Sequence, residues 1–181
     1  MMSQVIIITG DLASGKSFLA DSLSVRLNIP CFKKDTIKEN LVDKYGFKNR
    51  EENRALSIKA VDFMIEALER FLSLNQDIIL EANFREEELV RIKEITDRYN
   101  VVPSFFVLTA DMNVLYDRFL ERLPSRHIAH TSVHLEESID KFQEYVLSQR
   151  VKNPPFEPVC IDTTNITNEQ VLELALKSIK K

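Results

Sequence analysis

Val5-Ile-Ile-Ile8-Thr9 runs directly into Gly10-Asp11-Leu12-Ala13-Ser14-Gly15-Lys16-Ser17, and this junction decides how the rest of the chain is read. The apolar run predicts a buried strand, and Gly10 to Ser17 fill the pattern G-x-x-x-x-G-K-[ST]. Two glycines let the backbone turn so tightly that successive N–H groups point inward and cradle β- and γ-phosphates, while a helix begun at Lys16 adds its positive N-terminal end. Lys16 supplies a mobile cation and Ser17 a hydroxyl ligand for Mg²⁺; Gly10 to Phe18 is the predicted nucleotide contact. With average residue usage the four fixed positions coincide at roughly 1 in 20,000 sites. The chain holds only three glycines, and Gly10 and Gly15 are two of them. A tight strand-to-helix turn without a ligand is the competing reading, and the flanking strand and helix patterns weigh against it.

The 181 residues, 44% hydrophobic, suffice for one substantial core, so a single domain over 1–181 is expected. A formal charge of −4 gives no global basic field, which disfavours nucleic acid as a partner, although a local groove could still be positive. Cys31 and Cys160 stand in apolar contexts without metal-type spacing and are expected to be buried core thiols in a reducing compartment. No apolar run reaches the ~18 residues of a membrane span. The N-terminus lacks a basic region followed by an apolar stretch, so a cytoplasmic protein, monomeric or homodimeric, is the expectation.

Periodicity predicts strands alternating with helices. After the first strand and a helix to Leu27, Cys31-Phe32 opens a short strand running into Lys33-Lys34-Asp35, and Asp35 is read as the N-cap of a helix over Thr36–Tyr45. A long helix spans about Arg50 to Leu74. Asp77 to Asn83 and Val101 to Thr109 read as strands, with helices over Glu86–Tyr99 and Met112–Arg122. Pro124 to Thr131 breaks periodicity and reads as a loop or lid, taken more broadly as about 122–134. A helix over Leu135–Arg150, a strand over Val159–Asp162 and a helix over Thr167–Lys180 complete the pattern of a parallel sheet covered on both faces. In such sheets ligands lie at the carboxyl ends of the strands, where Asp35, Glu81, Asn83 and Thr109 fall.

Asp35 is therefore the candidate to orient an attacking hydroxyl and accept its proton. Helix capping is the alternative, compatible with that role because one carboxylate oxygen can stay free. Glu81 ends a buried strand where phosphate-loop proteins place an acidic Mg²⁺ partner, and a buried carboxylate is costly without one. Asn83 serves either substrate or the turn. Arg118, Arg122 and Arg126 recur every four residues and could neutralise a phosphoryl group in flight, or else form a solvated face. His127 and His130 lack further metal ligands, which favours loop or substrate contacts. Lys33 and Lys34 line an entrance or form a solvated pair.

Taken together, Gly10 to Ser17, Asp35-Thr-Ile-Lys38, Ile79-Leu-Glu81-Ala-Asn83 and Arg118 through Arg126 resemble the small P-loop kinases of the adenylate-kinase-like branch. Within it the chain is most similar to the AAA-type group that includes polynucleotide 5′-hydroxyl kinases, chloramphenicol phosphotransferase and zeta toxins. The resemblance implies a three-layer P-loop NTPase fold with a five-stranded parallel sheet of order 2-3-1-4-5, and use of ATP with Mg²⁺. It implies a hydroxyl acceptor, with Lys16, Asp35, Arg122 and Arg126 catalytic, Arg118 at the nucleotide, Asp35, Lys38 and Asn83 at the acceptor, and Ser17 and Glu81 at the metal. Thr163 and Thr164 occupy the usual adenine region. Lys38 stands where polynucleotide kinases often carry arginine, and lysine cannot make the same bidentate phosphate contact. A small-molecule hydroxyl is thus the expected acceptor. A nucleoside-monophosphate or polynucleotide kinase, or a nucleotide-dependent switch, is the alternative. No N/T-K-x-D motif supports guanine preference.

Overall fold

The computed structural model describes residues 3–130 and 134–179. Five parallel strands form its centre: β1 (Val5–Gly10), β2 (Cys31–Lys33), β3 (Ile78–Glu81), β4 (Ser104–Thr109) and β5 (Pro158–Asp162), in the spatial order β2-β3-β1-β4-β5. The helices are α1 (Lys16–Leu27), α2 (Lys34–Tyr45), α3 (Arg50–Ser73), α4 (Glu86–Arg98), α5 (Met112–Arg122), α6 (Ile139–Gln149) and α7 (Asn168–Ser178). This is the three-layer P-loop NTPase fold in its kinase form, as the resemblance implies.

The two-residue period of β1 divides the core. Val5 and Ile7 face α3 and α4, against Met64, Leu68, Leu89 and Ile92, whereas Ile6 and Ile8 face α1 and α7, against Leu19, Leu23 and Ala175. With both faces covered, β1 and β3 are continuous apolar runs rather than alternating ones. The register brings Ile8 level with Glu81, Gly10 with Leu108 and Thr109 with Asp162, so the carboxyl ends of all the central strands open on one edge. A third apolar cluster joins α5 and α6 through Leu115, Phe119 and Phe142 and reaches Ala13 of the phosphate loop.

Three sequence expectations change. Asp35 does not cap α2: β2 passes into α2 without a loop, Lys33 is the N-cap with no side-chain cap bond, and Asp35 lies inside the first turn. Its carboxylate is therefore not spent on capping. Cys160 is exposed, sitting on the edge strand β5; Cys31 is half-buried, and burial pushes its thiol up to about 12. The segment after α5 is not a plain loop but two short 3₁₀ turns, Leu123–Ser125 and Ile128–His130. Residues 131–133 of the expected lid and Lys180 of the expected last helix lie outside the described residues. Among the described residues no helix is long and apolar enough to cross a membrane.

Candidate active site

The phosphate loop is shaped by its glycines. Gly10 has φ +134°, and a Cβ there would meet the Leu108 carbonyl oxygen at 2.0 Å, because the backbone turns directly over β4 and Asp11 N–H donates to that same oxygen at 2.9 Å. Gly15, at φ +92°, starts α1 with no side-chain cap and no acidic residue in the first turn. The first N–H groups of α1 are thus left without a side-chain acceptor at the positive end of the helix, an arrangement suited to an anion. Ala13 also adopts positive φ, at 64°, a cost for a residue with a Cβ that tends to be retained where backbone shape serves a site.

Inside the loop Lys16 is buried and its ammonium donates to the Asp11 carbonyl at 2.6 Å. Burial lowers its pKa, opposed by the negative charges of Glu81, Asp35 and Asp11. Glu81, at the end of β3, is likewise buried; burial raises its pKa, against the pull of Lys16. Ser17 Oγ donates to Glu81 Oε2 at 3.3 Å. A serine hydroxyl beside a carboxylate is a hard-oxygen pair, and that donor set fits Mg²⁺, which keeps several of its own waters. Ser14 Oγ is buried without a partner among the described residues, a polar atom on the loop that a bound phosphate could satisfy.

Three adjoining cavities meet here. One of about 240 Å³ is lined by Gly15, Lys16, Ser17, Glu81, Asn83 and Arg122. A second, about 560 Å³, runs from Gly15 and Phe18 past Arg118 and Arg122 to Thr163 and Asn168. The third, about 210 Å³, lies beyond Asp35 and is bounded by Lys33, Glu39, Arg122, Arg126, His127 and His130. The first lies against the phosphate loop, the second is large enough for a nucleoside, and the third is a separate recess of the size of a small acceptor molecule. Asp35, Leu12, Ala13, Ser17, Glu81 and Arg122 line both the first and the third. Asp35 thus stands at the junction where a transferred group would pass.

The remaining predicted residues divide cleanly. Arg118 donates to Thr163 Oγ1 at 3.0 Å and to the Thr163 carbonyl at 2.8 Å, which fixes it on the wall of the nucleoside-sized cavity. Thr164 instead bonds Asp162 and Asp111 and does not line that cavity. Arg122 reaches all three cavities, whereas Arg126 lines only the acceptor-sized one. Asn83 lines the phosphate cavity, its Oδ1 buried without a partner among the described residues. Lys38 departs from expectation: it lines none of the three cavities, and its ammonium donates to the Ala129 carbonyl at 2.8 Å. Asp11 lines none of the three cavities, and its carboxylate takes both prongs of Arg150, at 2.9 and 2.7 Å.

Sequence reasoning missed Arg150, which follows α6 and stands 139 positions from Asp11; no spacing marks such a pair. It also missed Asn53, whose Nδ2 joins Lys38 on the Ala129 carbonyl at 3.1 Å. An asparagine within an otherwise apolar helix face was the available signal. With His127 on Asp43 at 3.0 Å and His130 on Glu39 at 2.9 Å, these bonds strap residues 127–130 across α2 and α3.

Comparison with known sequences bears on this geometry. The family described as AAA domain matches residues 6–147, which is most of the chain. The chain belongs to the AAA domain family. No curated protein matches it significantly. Among solved structures, this AAA domain is similar to a candidate kinase of Chloroflexus aurantiacus, with TM-score 0.84, 24% identity, and 99% of this chain and 100% of that one covered. It is similar to a gluconokinase of Sinorhizobium meliloti, with TM-score 0.63 and 16% identity over 97% and 90% of the two chains. The APS kinase of Mycobacterium tuberculosis, solved with AMPPNP and APS, matches with TM-score 0.63 and 15% identity over 98% and 99%. At these identities the likeness establishes that the AAA domain shares the kinase form of the fold.

Proposed function

We propose that the protein is a phosphotransferase that moves the γ-phosphate of ATP to a hydroxyl group of a small molecule. The observation that carries this reading is Asp35, a carboxylate freed from capping and set between the phosphate-loop cavity and a separate cavity of about 210 Å³. A hydrolase or a switch needs only water or a partner at that point, and neither calls for a walled recess beyond the carboxylate. The kinases among the structural neighbours, one solved with a nucleotide analogue and APS, support the same reading.

In this reading the N–H groups of Gly15 to Phe18 and the Lys16 ammonium bind the phosphates. Lys16 leaves the Asp11 carbonyl to do so, exchanging one acceptor oxygen for a charged one. Ser17 and Glu81 would hold Mg²⁺, which when bound neutralises charge on the β- and γ-phosphates. The acceptor hydroxyl lies against Asp35. As its oxygen forms the new bond to the γ-phosphorus, the bond to the β,γ-bridging oxygen breaks, ADP leaves with that electron pair, and the hydroxyl proton passes to Asp35. Arg122 lines both cavities and meets the charge spread over the group in flight. Arg118 and Thr163 form the wall for the nucleoside. Glu81 and Lys16 are buried, so water is kept from the phosphates on that side.

ADP release in the presence of a metabolite panel tests the proposal. Turnover should depend on the acceptor supplied. Lys16→Ala should abolish it, and Asp35→Asn should lower kcat by about 10²–10⁴-fold with nucleotide affinity little changed. ADP release that ignores the acceptor and survives Asp35→Asn would overturn the reading.

A further inference from the structure

The acceptor cavity carries several formal charges, and nearly all of them have an assignment. Lys33 is paired with Asp21 at 2.7 Å, His127 with Asp43 at 3.0 Å and His130 with Glu39 at 2.9 Å. Glu81 faces Ser17, Asp35 lies between this cavity and the phosphate cavity, and Arg122 also lines the phosphate cavity. Arg126 is the exception. Its guanidinium lies over the Phe119 ring at 5.1 Å and makes no ion pair among the described residues. It is half-buried, burial lowers its pKa, and the charges that act on it most are Tyr145, a neutral phenol at physiological pH, and Asp35. An arginine packed over a ring face can still donate N–H bonds to a ligand.

A guanidinium partly removed from water with no carboxylate in direct contact among the described residues is held at a cost that a bound anion would lower. Arg126 lines the cavity beyond Asp35 and neither of the other two, which puts an anion bound to it on the acceptor side. We infer that the acceptor itself is an anion: a compact molecule bearing, besides its hydroxyl at Asp35, a carboxylate or phosphate group that Arg126 binds in bidentate fashion. This rests on the phosphotransferase reading and specifies its substrate class. Asp35 and Arg126 line the same cavity of about 210 Å³, a size that suits one small molecule carrying both groups.

Matched acceptors test this. Hydroxy carboxylates are compared with their own amides, glycerate with glyceramide and gluconate with gluconamide, and ribose 5-phosphate is compared with ribose, by ADP release in the wild type and in Arg126→Gln. The expected result is a preference of at least about 10- to 100-fold in kcat/KM for the charged member of one set, the loss of a charge-assisted bidentate contact. Which set shows it distinguishes carboxylate from phosphate. In Arg126→Gln the preference should collapse towards unity through the acceptor KM, with the KM for ATP unchanged. As a readout apart from turnover, calorimetric binding of the preferred anion to the AMPPNP-loaded protein should disappear in the same variant. Equal or better use of the neutral members would overturn the inference and leave the kinase reading standing. Equal loss of kcat on every acceptor in Arg126→Gln would also overturn it, by assigning the arginine to the γ-phosphate. No turnover of any member, with nucleotide still bound, would count against both.

Discussion

Glu81 is the residue whose burial is hardest to explain by folding alone. Its pKa is raised by burial more than Lys16 lowers it, so the folded state prefers the protonated acid more than the unfolded chain does. The stability contribution of such a group is full below the unfolded value near 4.3 and is lost as pH rises through the higher folded value. At neutral pH Glu81 therefore works against the nucleotide-free fold. Glu81→Gln should raise the melting temperature at pH 7.5 by about 2–4 °C, a gain of roughly 1 kcal/mol, and the gain should vanish on acidification towards pH 4. The same variant should lose most of the stabilisation that Mg²⁺ with AMPPNP gives the wild type. A variant less stable than wild type at both pH values would show that the carboxylate is needed for the fold itself. Asp11 poses a related problem, because an acidic side chain on a phosphate loop repels the ligand unless it is neutralised. Arg150 does that through two bonds to a carboxylate only 4% exposed. Arg150→Met should raise the KM for ATP about 10-fold or more, and Asp11→Asn in the same protein should restore most of it, because the asparagine removes the charge Arg150 had balanced. If the double variant is as poor as Arg150→Met, the arginine serves packing rather than charge.

Among the elements, the strap of residues 127–130 over α2 and α3 is what gives the acceptor cavity its outer wall. Ala129 is fully buried against Val42 and Leu56, and its carbonyl receives both Lys38 and Asn53. Lys38→Met leaves one of those two bonds, so the fold should persist while the strap loosens. Tryptic cleavage after Arg122 and Arg126 should accelerate, and the acceptor KM should rise about 3- to 10-fold with little change in the KM for ATP. Unchanged cleavage would mean that the lysine holds nothing. This strap is also where sequence reading reaches its limit. The β1–loop–α1 unit is legible because strand, glycines, lysine and serine are contiguous and each has a local reason to be there. Asp35 is legible as a position at a strand end, but not in its place on the helix: Asp is a good cap in general, and nothing local shows that β2 passes into α2 two residues early. Lys38 reads as a substrate ligand because it sits one turn from Asp35, yet its partner comes from residue 129, 91 positions away.

For the whole molecule, strand and helix alternation is enough to predict a parallel sheet, while the order β2-β3-β1-β4-β5 comes from the resemblance and not from periodicity. The sheet explains the site. By ending β1, β3 and β4 at one edge, it gathers Lys16, Glu81 and Asn83 against the start of α2, so that a loop able to hold phosphates becomes a place where one can be passed on. Bonds made across the fold, Arg150 to Asp11 and Arg118 to Thr163, are set by how α5, α6 and β5 return to that edge, which no short window of sequence contains. The most direct test of the central claim is the fate of the γ-phosphate. With γ-labelled ATP and a panel of hydroxylated metabolites, the label should appear in an organic phosphate in step with ADP, and Asp35→Asn should suppress that product. Label recovered only as inorganic phosphate, at one rate with every metabolite and undiminished in Asp35→Asn, would contradict the account.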